Sequence, residues 1–81
     1  MRLTVRPFAQ LRERLGTEAL ELELPAGATA AELLELLLAE QPALAPCRES
    51  LLLAGGTEML EPGSALAEGD TVALYPPFSG G

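Results

Sequence analysis

The sequence predicts one small α+β domain, in which a mixed sheet of about five strands packs on one main helix and a short helix. Three observations favour this class. The chain has 81 residues, enough for one domain and too few for two. Hydrophobic residues make up 48% of it, which is enough for a globular core. Apolar residues recur with a period of two in several short segments and with a helical period in two others.

The first elements are a strand and a short helix. Apolar and polar residues alternate over residues 2–6, which is typical of a strand with one buried face. Pro7 closes this strand because proline has no N–H to donate to a ladder. A helix is predicted over residues 8–15, where Phe8 begins an apolar stripe of helical spacing. Gly16 suits the position after its last turn.

A second strand and the main helix follow. Leucines alternate with glutamates over residues 20–24, so we expect their apolar side to face the core. Thr29 and Glu32 have the spacing of a capping box, in which each side chain serves the backbone N–H of the other residue. Pro42 ends the helix near residue 39 or 40. The apolar stripe of this helix consists of Ala30, Leu33, Leu34, Leu37 and Leu38.

The second half of the chain contains turns and short strands. Residues 43–50 are predicted to form a loop, and Leu51–Leu53 a short buried strand. Gly55-Gly56 is a strong turn signal, so residues 58–60 return as the second strand of a hairpin. The last strand is predicted over residues 71–75, where Val72 and Leu74 share the core face with Leu3 and Val5 of the first strand.

Composition excludes most chemistry that a chain could perform by itself. Five basic and twelve acidic residues give a net charge of −7, and there is no lysine, so nucleic acid is not expected as a partner. With no histidine and one cysteine, Cys47, we expect neither a metal site nor a histidine-activated nucleophile. Glu21 and Glu23 fit a solvated strand face, and Gly55-Gly56 lacks the lysine of a phosphate loop. No bound cofactor is therefore expected.

The same features predict a cytoplasmic protein that does not enter a membrane. A single cysteine cannot form an internal disulfide, and it fits a reducing compartment. The longest apolar runs, such as residues 36–39, are far shorter than the roughly 18 residues of a membrane span. Arg2 and Arg6 also interrupt any secretory signal at the start of the chain.

The last six residues have a composition of their own. They are Pro76, Pro77, Phe78, Ser79, Gly80 and Gly81. The two prolines hold the chain extended and keep it from returning to the sheet, and the two glycines remove every side chain beside the terminal carboxylate. An aromatic side chain on such a tail suggests docking in a partner. We therefore predict a folded domain over residues 1–75 and an extended, flexible Gly-Gly tail over residues 76–81.

Two motifs at opposite ends of the chain carry a family resemblance. They are Phe8-Ala9-Gln10-Leu11-Arg12-Glu13 and Tyr75-Pro76-Pro77-Phe78-Ser79-Gly80-Gly81. With the order of elements and the Gly-Asp-Thr-Val start of the last strand, the chain resembles the ubiquitin-like β-grasp sulfur carriers. Among these it resembles the small subunit of molybdopterin synthase over its whole length. One departure is Ala54-Gly55-Gly56-Thr57, where members often have an Asn-Gly turn, but this segment keeps the turn chemistry.

The resemblance implies a sulfur carrier without an active site of its own. A ubiquitin-activating-type adenylyltransferase would use ATP to adenylate Gly81, and a sulfur donor protein would convert the adenylate to a thiocarboxylate. The large, catalytic subunit of molybdopterin synthase would accept the tail in a heterotetrameric enzyme. There the sulfur would attack the cyclic pterin precursor to form the molybdopterin dithiolene. Gly80 and Gly81 would carry this chemistry, since a Cβ at either position would widen the arm.

A docking surface follows from the alternation of the last strand. Val72 and Leu74 fill its core face, so Tyr75 points away from the helix. Met59 and Phe8 could join Tyr75 in one apolar patch, although Phe8 fits the core stripe of the short helix equally well and Met59 could be core filler. The acidic chain would complement basic residues around the partner's pocket. The predicted partner-binding residues are Phe8, Met59, Tyr75, Pro76, Pro77, Phe78 and Ser79.

Two other functions are open at this point. One is a related carrier that serves thiazole or tRNA thiolation, or that becomes conjugated to protein lysines. The other is a non-catalytic β-grasp interaction module, in which the Gly-Gly end is incidental. Deletion of Gly81 would leave only the interaction module active.

Overall fold

A five-stranded mixed sheet with helices packed on one face forms the protein. The computed structural model describes residues 1–76. The elements are β1 (Arg2–Pro7), α1 (Gln10–Leu15), β2 (Leu20–Glu23), α2 (Ala30–Glu40), a 3₁₀ helix (Pro42–Ser50), β3 (Leu52–Gly55), β4 (Glu58–Met59) and β5 (Thr71–Tyr75). The strands lie in the order β2-β1-β5-β3-β4. The predicted α+β class, with its main helix and short helix, is confirmed.

The first and last strands lie side by side within the sheet. β1 and β5 pair in parallel, while β2 adds to β1 and β3 adds to β5 in antiparallel fashion. β4 pairs with β3 and completes the hairpin predicted at Gly55-Gly56. Gly56 has a φ of 63°, a conformation that glycine adopts without steric cost. Because β5 is the central strand, the chain leaves the domain from the middle of the sheet and not from an edge.

The core lies between one face of the sheet and α2. Its fully buried side chains are Leu3, Val5, Leu11, Leu33, Leu37, Leu44, Val72 and Leu74. The predicted sharing of a core face by Leu3 and Val5 with Val72 and Leu74 is confirmed. Burial of one leucine contributes about 1.5–3 kcal/mol to folding, so this cluster holds β1 and β5 against α2.

The predicted bounds of α2 and its capping box are confirmed. The Thr29 hydroxyl accepts a hydrogen bond from the Glu32 backbone N–H at 3.4 Å, and the Glu32 carboxylate accepts one from the Thr29 N–H at 2.9 Å. The helix ends at Glu40, two residues before Pro42. Two of the backbone N–H groups that a helix start leaves without intrahelical partners are thereby satisfied.

The helix predicted over residues 8–15 begins two residues too early. The Phe8 N–H donates to the carbonyl oxygen of Leu74 at 3.0 Å, so Phe8 extends the pairing between β1 and β5. Ala9 then turns the chain with a φ of 54°, and α1 begins at Gln10. The helical spacing of Phe8 was therefore coincidental, because its backbone belongs to the strand ladder.

The loop predicted over residues 43–50 is also wrong. Pro42–Ser50 form a 3₁₀ helix. Leu44 is fully buried, and its N–H donates to the carbonyl oxygen of Gln41 at 2.9 Å, so an apolar anchor orders a segment whose prolines favoured an irregular chain. Pro46 is tolerated inside this helix.

Candidate functional site

The face of the sheet opposite α2, here called the open face, carries an exposed apolar patch. Directly paired residues share a face of a sheet, and the register pairs Leu52 with Tyr75 and Ala54 with both Ala73 and Met59. We define the open-face patch by Phe8, Leu52, Ala54, Met59, Ala73 and Tyr75. All four large hydrophobic side chains that are exposed among residues 1–76 belong to it. This concentration on one face indicates a docking surface, because exposed apolar residues elsewhere are normally scattered.

Two aromatic rings stack at the end of the patch from which the tail leaves. The ring centroids of Phe8 and Tyr75 are 4.9 Å apart, and the ring planes differ by 23°. Such a pair contributes about 0.5–1.5 kcal/mol beyond its buried area, so each ring fixes the other. The structure thus places Phe8 on the open face, 36% exposed, and not in the core. Tyr75 is the last residue of β5, which puts the stack directly beside the start of the tail.

A shallow groove of about 340 Å³ runs beside the aromatic stack. It is lined by Arg6, Phe8, Ala54, Gly56, Thr71, Ala73 and Tyr75. The side chains of Ala54 and Ala73 are small, so the groove exists because neighbouring strands present short residues beside Arg6 and the aromatic rings. The sequence motifs did not indicate it, since it depends on which strands are adjacent.

Two residues of this site were missed in the sequence. Leu52 is 45% exposed, whereas it was assigned to a buried strand over Leu51–Leu53. Three consecutive leucines conceal the alternation, but antiparallel pairing with the outward-facing Tyr75 would have placed Leu52 on the open face. Arg6 lies directly opposite Ala73, and the alternation of β1 already placed it on the polar side of that strand.

The other end of the open face is charged and internally paired. Arg2 lies 3.1 Å from the Glu23 carboxylate and 3.9 Å from that of Glu21. The hydrogen bond to Glu23 and the negative charges of Glu23 and Glu21 raise the pKa of the Arg2 guanidinium above its ordinary value. These pairs are exposed and contribute little to stability. Glu21 and Glu23 thus occupy the solvated strand face predicted for them.

Cys47 lies away from the open face, in the 3₁₀ helix. Its thiol is half-buried, and Arg14 Nη1 lies 3.3 Å from its Sγ. Within residues 1–76, no three histidine, cysteine or acidic side chains come together in a way that could hold a metal ion. None of the helices in this part of the chain combines the length and apolarity needed to cross a membrane.

The described residues contain the start of the predicted tail. Pro76 is half-buried directly after β5. The other predicted tail residues, Pro77, Phe78, Ser79, Gly80 and Gly81, lie outside the described residues. Their roles, and the extended tail over residues 76–81, stay predictions.

Comparison with known proteins gives one consistent family. The profile of the ThiS family matches residues 5–81. The molybdopterin synthase sulfur carrier subunit of Drosophila yakuba is 39% identical over 77 residues, covering 91% of this chain and 84% of that protein. The protein of the same name from Chlamydomonas reinhardtii is 37% identical over 83 residues and covers 100% of both chains.

Solved structures agree with this relationship. The crystal structure of SAMP1, a small archaeal modifier protein, from Haloferax volcanii superposes with a TM-score of 0.85 at 28% identity, covering 100% of both chains. The fold and the sequence similarity therefore agree from end to end. The chain belongs to the ThiS family, among the ubiquitin-like sulfur carriers related to the small subunit of molybdopterin synthase.

Proposed function

We propose that this chain is the sulfur carrier subunit of a molybdopterin synthase. The observation that carries the proposal is the full-length similarity to relatives of that name, which includes both ends of the chain. The open-face patch supports it, because a carrier must dock on successive partners beside the start of its reactive tail.

The proposed chemistry takes place at the carboxyl group of Gly81. A carboxylate is a poor electrophile, so an adenylyltransferase joins it to the AMP of ATP and releases pyrophosphate. A sulfur nucleophile delivered by a donor protein then displaces AMP, which leaves a thiocarboxylate. In the large subunit this sulfur attacks the cyclic pterin precursor, and water subsequently cleaves the acyl–sulfur bond and restores the Gly81 carboxylate. Each cycle delivers one sulfur atom, so a dithiolene requires two loaded carriers.

The folded domain supplies orientation for this chemistry. Six residues, 76–81, span at most about 20 Å when extended, so the active site of a partner must lie within that distance of Tyr75. Docking through the open-face patch would therefore aim the tail, since the patch and the tail start lie at one end of β5. A partner that buries the four exposed hydrophobic side chains gains apolar contact area and fixes the direction of the tail in one step.

The test is intact-mass analysis after incubation with the activating enzyme, ATP and a sulfur source. Replacement of one oxygen by sulfur changes the mass by nearly as much as oxidation of Met1 or Met59, so mass alone is insufficient. The experiment is therefore run on Cys47→Ser, which removes the only thiol of the chain, with a thiol-selective alkylating reagent. We expect an alkylated adduct that disappears when Gly81 is deleted.

Two other results would contradict the proposal. If Cys47→Ser remains unmodified while the activating enzyme consumes ATP on a known carrier, the chain is not a sulfur carrier. If the adduct forms but the large subunit produces no dithiolene with it, the chain is a carrier for another thiolation pathway, such as that of thiazole or tRNA.

A second candidate function is conjugation to protein lysines. The superposition on an archaeal modifier protein favours it, because the same fold serves as a modifier there. The two functions differ in the bond that Gly81 forms. A modifier yields isopeptide-linked conjugates in cells. Because Arg48 is the last tryptic site of the chain, tryptic peptides that carry residues 49–81 on a lysine would reveal them. A dedicated carrier yields only the thiocarboxylate.

A further inference from the structure

Arg6 is a cation placed inside an apolar docking surface. Its position in β1 pairs directly with Ala73 of β5, so it lies on the open face. It lines the same groove as Phe8 and Tyr75, and the small side chains of Ala54 and Ala73 line that groove as well. The groove thus brings together two aromatic rings, two methyl side chains and Arg6, which precedes Phe8 by two residues on the same extended segment.

Arg6 forms no ion pair with the carboxylates in the described part of the chain. Ion pairs within 4.0 Å among residues 1–76 involve Arg2, with Glu21 and Glu23, and Arg48, with Glu35. Glu18 lines a small crevice with Arg6 and Arg12, yet it forms no ion pair with either. Arg12 and Arg14 on α1 likewise form no ion pair with another described residue, so what distinguishes Arg6 is its place in the groove beside the open-face patch.

A partner that covers the open-face patch would remove water from around Arg6. An unpaired charge is strongly disfavoured once water is removed from around it, so a docking surface with Arg6 inside it requires a compensating anion on the partner. The groove volume and its two methyl side chains suit a side chain with an aliphatic stem and a carboxylate end. Arginine pairs with such a carboxylate through two parallel hydrogen bonds.

We propose that the groove receives a glutamate or aspartate side chain of the partner protein, whose carboxylate pairs with Arg6 while its stem lies over Ala73. This inference rests on the proposed function in one respect, namely that the partner tested is the large synthase subunit. It also assigns a sign to the partner residue that the net charge of this chain does not predict. The acidic chain recognises an acidic residue at the centre of its interface. The partner surface is thereby an apolar area with one buried carboxylate.

The absence of lysine from the chain provides a direct test. In Arg6→Lys the new amine is the only one besides the N-terminus, whose ammonium group donates to the Leu24 carbonyl oxygen at 2.6 Å. A carbodiimide joins an amine to a carboxylate in contact with it without adding a spacer. We expect Arg6→Lys, mixed with the large subunit and carbodiimide, to form a crosslink that mass spectrometry maps from position 6 to a partner glutamate or aspartate. The matched control is Arg14→Lys, on α1 and away from the groove, which should give no such crosslink.

Affinity measurements provide the second test. Arg6→Glu places two negative charges together and should weaken binding to the large subunit by about tenfold or more. Arg6→Gln removes the positive charge, so its binding should depend less on salt than that of the wild-type chain. Arg14→Glu changes the net charge equally and should change the affinity by less than about threefold. Ala73→Val should also weaken binding, since it fills the groove with a residue that strands accommodate well.

The outcomes separate the two proposals. If the wild-type chain binds the large subunit and Arg6→Glu binds as tightly, or if the crosslink from position 6 leads to the chain's own terminal carboxylate, the inference is refuted and the proposed function stands. If the wild-type chain does not bind the large subunit at all, the proposed function fails, and the inference fails with it.

Discussion

Ala9 has a backbone conformation that is unfavourable for a residue with a Cβ. Replacement of Ala9 by glycine should therefore raise the free energy of unfolding. It is the only residue other than glycine with a positive φ among residues 1–76, at φ 54° and ψ −136°. The Leu11 N–H donates to the Phe8 carbonyl oxygen at 3.1 Å, which closes a four-residue turn around Ala9. These angles are near the roughly +60° and −120° of the first central residue of a type II′ turn, where glycine is preferred.

We expect Ala9→Gly to stabilise the domain by about 0.5–2 kcal/mol. Release of the strained conformation gains about 1–3 kcal/mol, and the greater freedom of glycine in the unfolded chain removes about 0.5–1 kcal/mol of that gain. The side chain of Ala9 is exposed, so its removal loses little packing. For a domain of this size, each kcal/mol raises the midpoint of thermal unfolding by about 4–8 °C.

The assay is denaturant unfolding at equilibrium, with Ala26→Gly as the matched control. Ala26 is also exposed and lies in a turn, between Pro25 and Gly27, but its φ is not positive, so this substitution should destabilise by about 0.5–1 kcal/mol. Ala9→Val should destabilise the domain by more than Ala26→Gly does, because a branched Cβ makes the positive φ less favourable. If Ala9→Gly lowers the free energy of unfolding as Ala26→Gly does, the strain argument is wrong.

Two further substitutions test the cap of α2 by unfolding and the aromatic stack by binding. Thr29→Ala removes the capping box of α2 and should lower the free energy of unfolding by about 1 kcal/mol, measured by denaturant titration. An unchanged midpoint would show that the cap does not contribute to stability. Tyr75→Ala should lower the affinity for the large synthase subunit by at least about tenfold, measured by calorimetric titration. In the isolated domain, loss of the aromatic stack should lower the free energy of unfolding by about 0.5–1.5 kcal/mol, in addition to the loss from the smaller buried area. Equal affinity would contradict the place of Tyr75 in the interface.

Local sequence patterns predicted most of the strands and the main helix because each of those elements contains its own signal. β1 and β5 show strict alternation around Leu3 and Val72, and α2 has both its capping box and a proline after its end. The order of strands cannot be obtained in this way, since it depends on contacts between residues far apart in the chain. The sequence predicted that the apolar positions of β1 and β5 share one face, but it did not predict that these two strands pair directly.

The errors arose where tertiary contacts override local pattern. Phe8 fitted a helical stripe, but a backbone hydrogen bond to Leu74 keeps it in the strand ladder. Residues 43–50 were predicted to form a loop that contains Pro46, yet burial of Leu44 orders them. Leu52 matched the expectation of a buried leucine, and only its pairing with Tyr75 shows that it is exposed.

The candidate site was predictable in composition but not in shape. Tyr75 followed from alternation, and Phe8 and Met59 were alternatives that the sequence could not separate from core residues. The groove lined by Arg6, Phe8 and Tyr75 requires that β1, β5 and β3 be neighbours, which no local motif encodes. The tail residues 77–81 were the strongest sequence signal, and their role stays a prediction.

Departures from ordinary stability rules occur together at one end of the open face. The exposed aromatic stack, the unpaired Arg6 and the strained Ala9 all lie near the start of the tail, whereas Arg2 at the other end is paired with carboxylates. Departures of this kind are characteristic of functional sites, because selection there acts on binding and not on the stability of the free domain. It follows that stabilising substitutions should act differently at the two ends. Added charge pairs near Arg2 should leave docking unchanged, whereas a new carboxylate placed on the domain beside Arg6 should occupy the guanidinium and weaken binding to the large subunit.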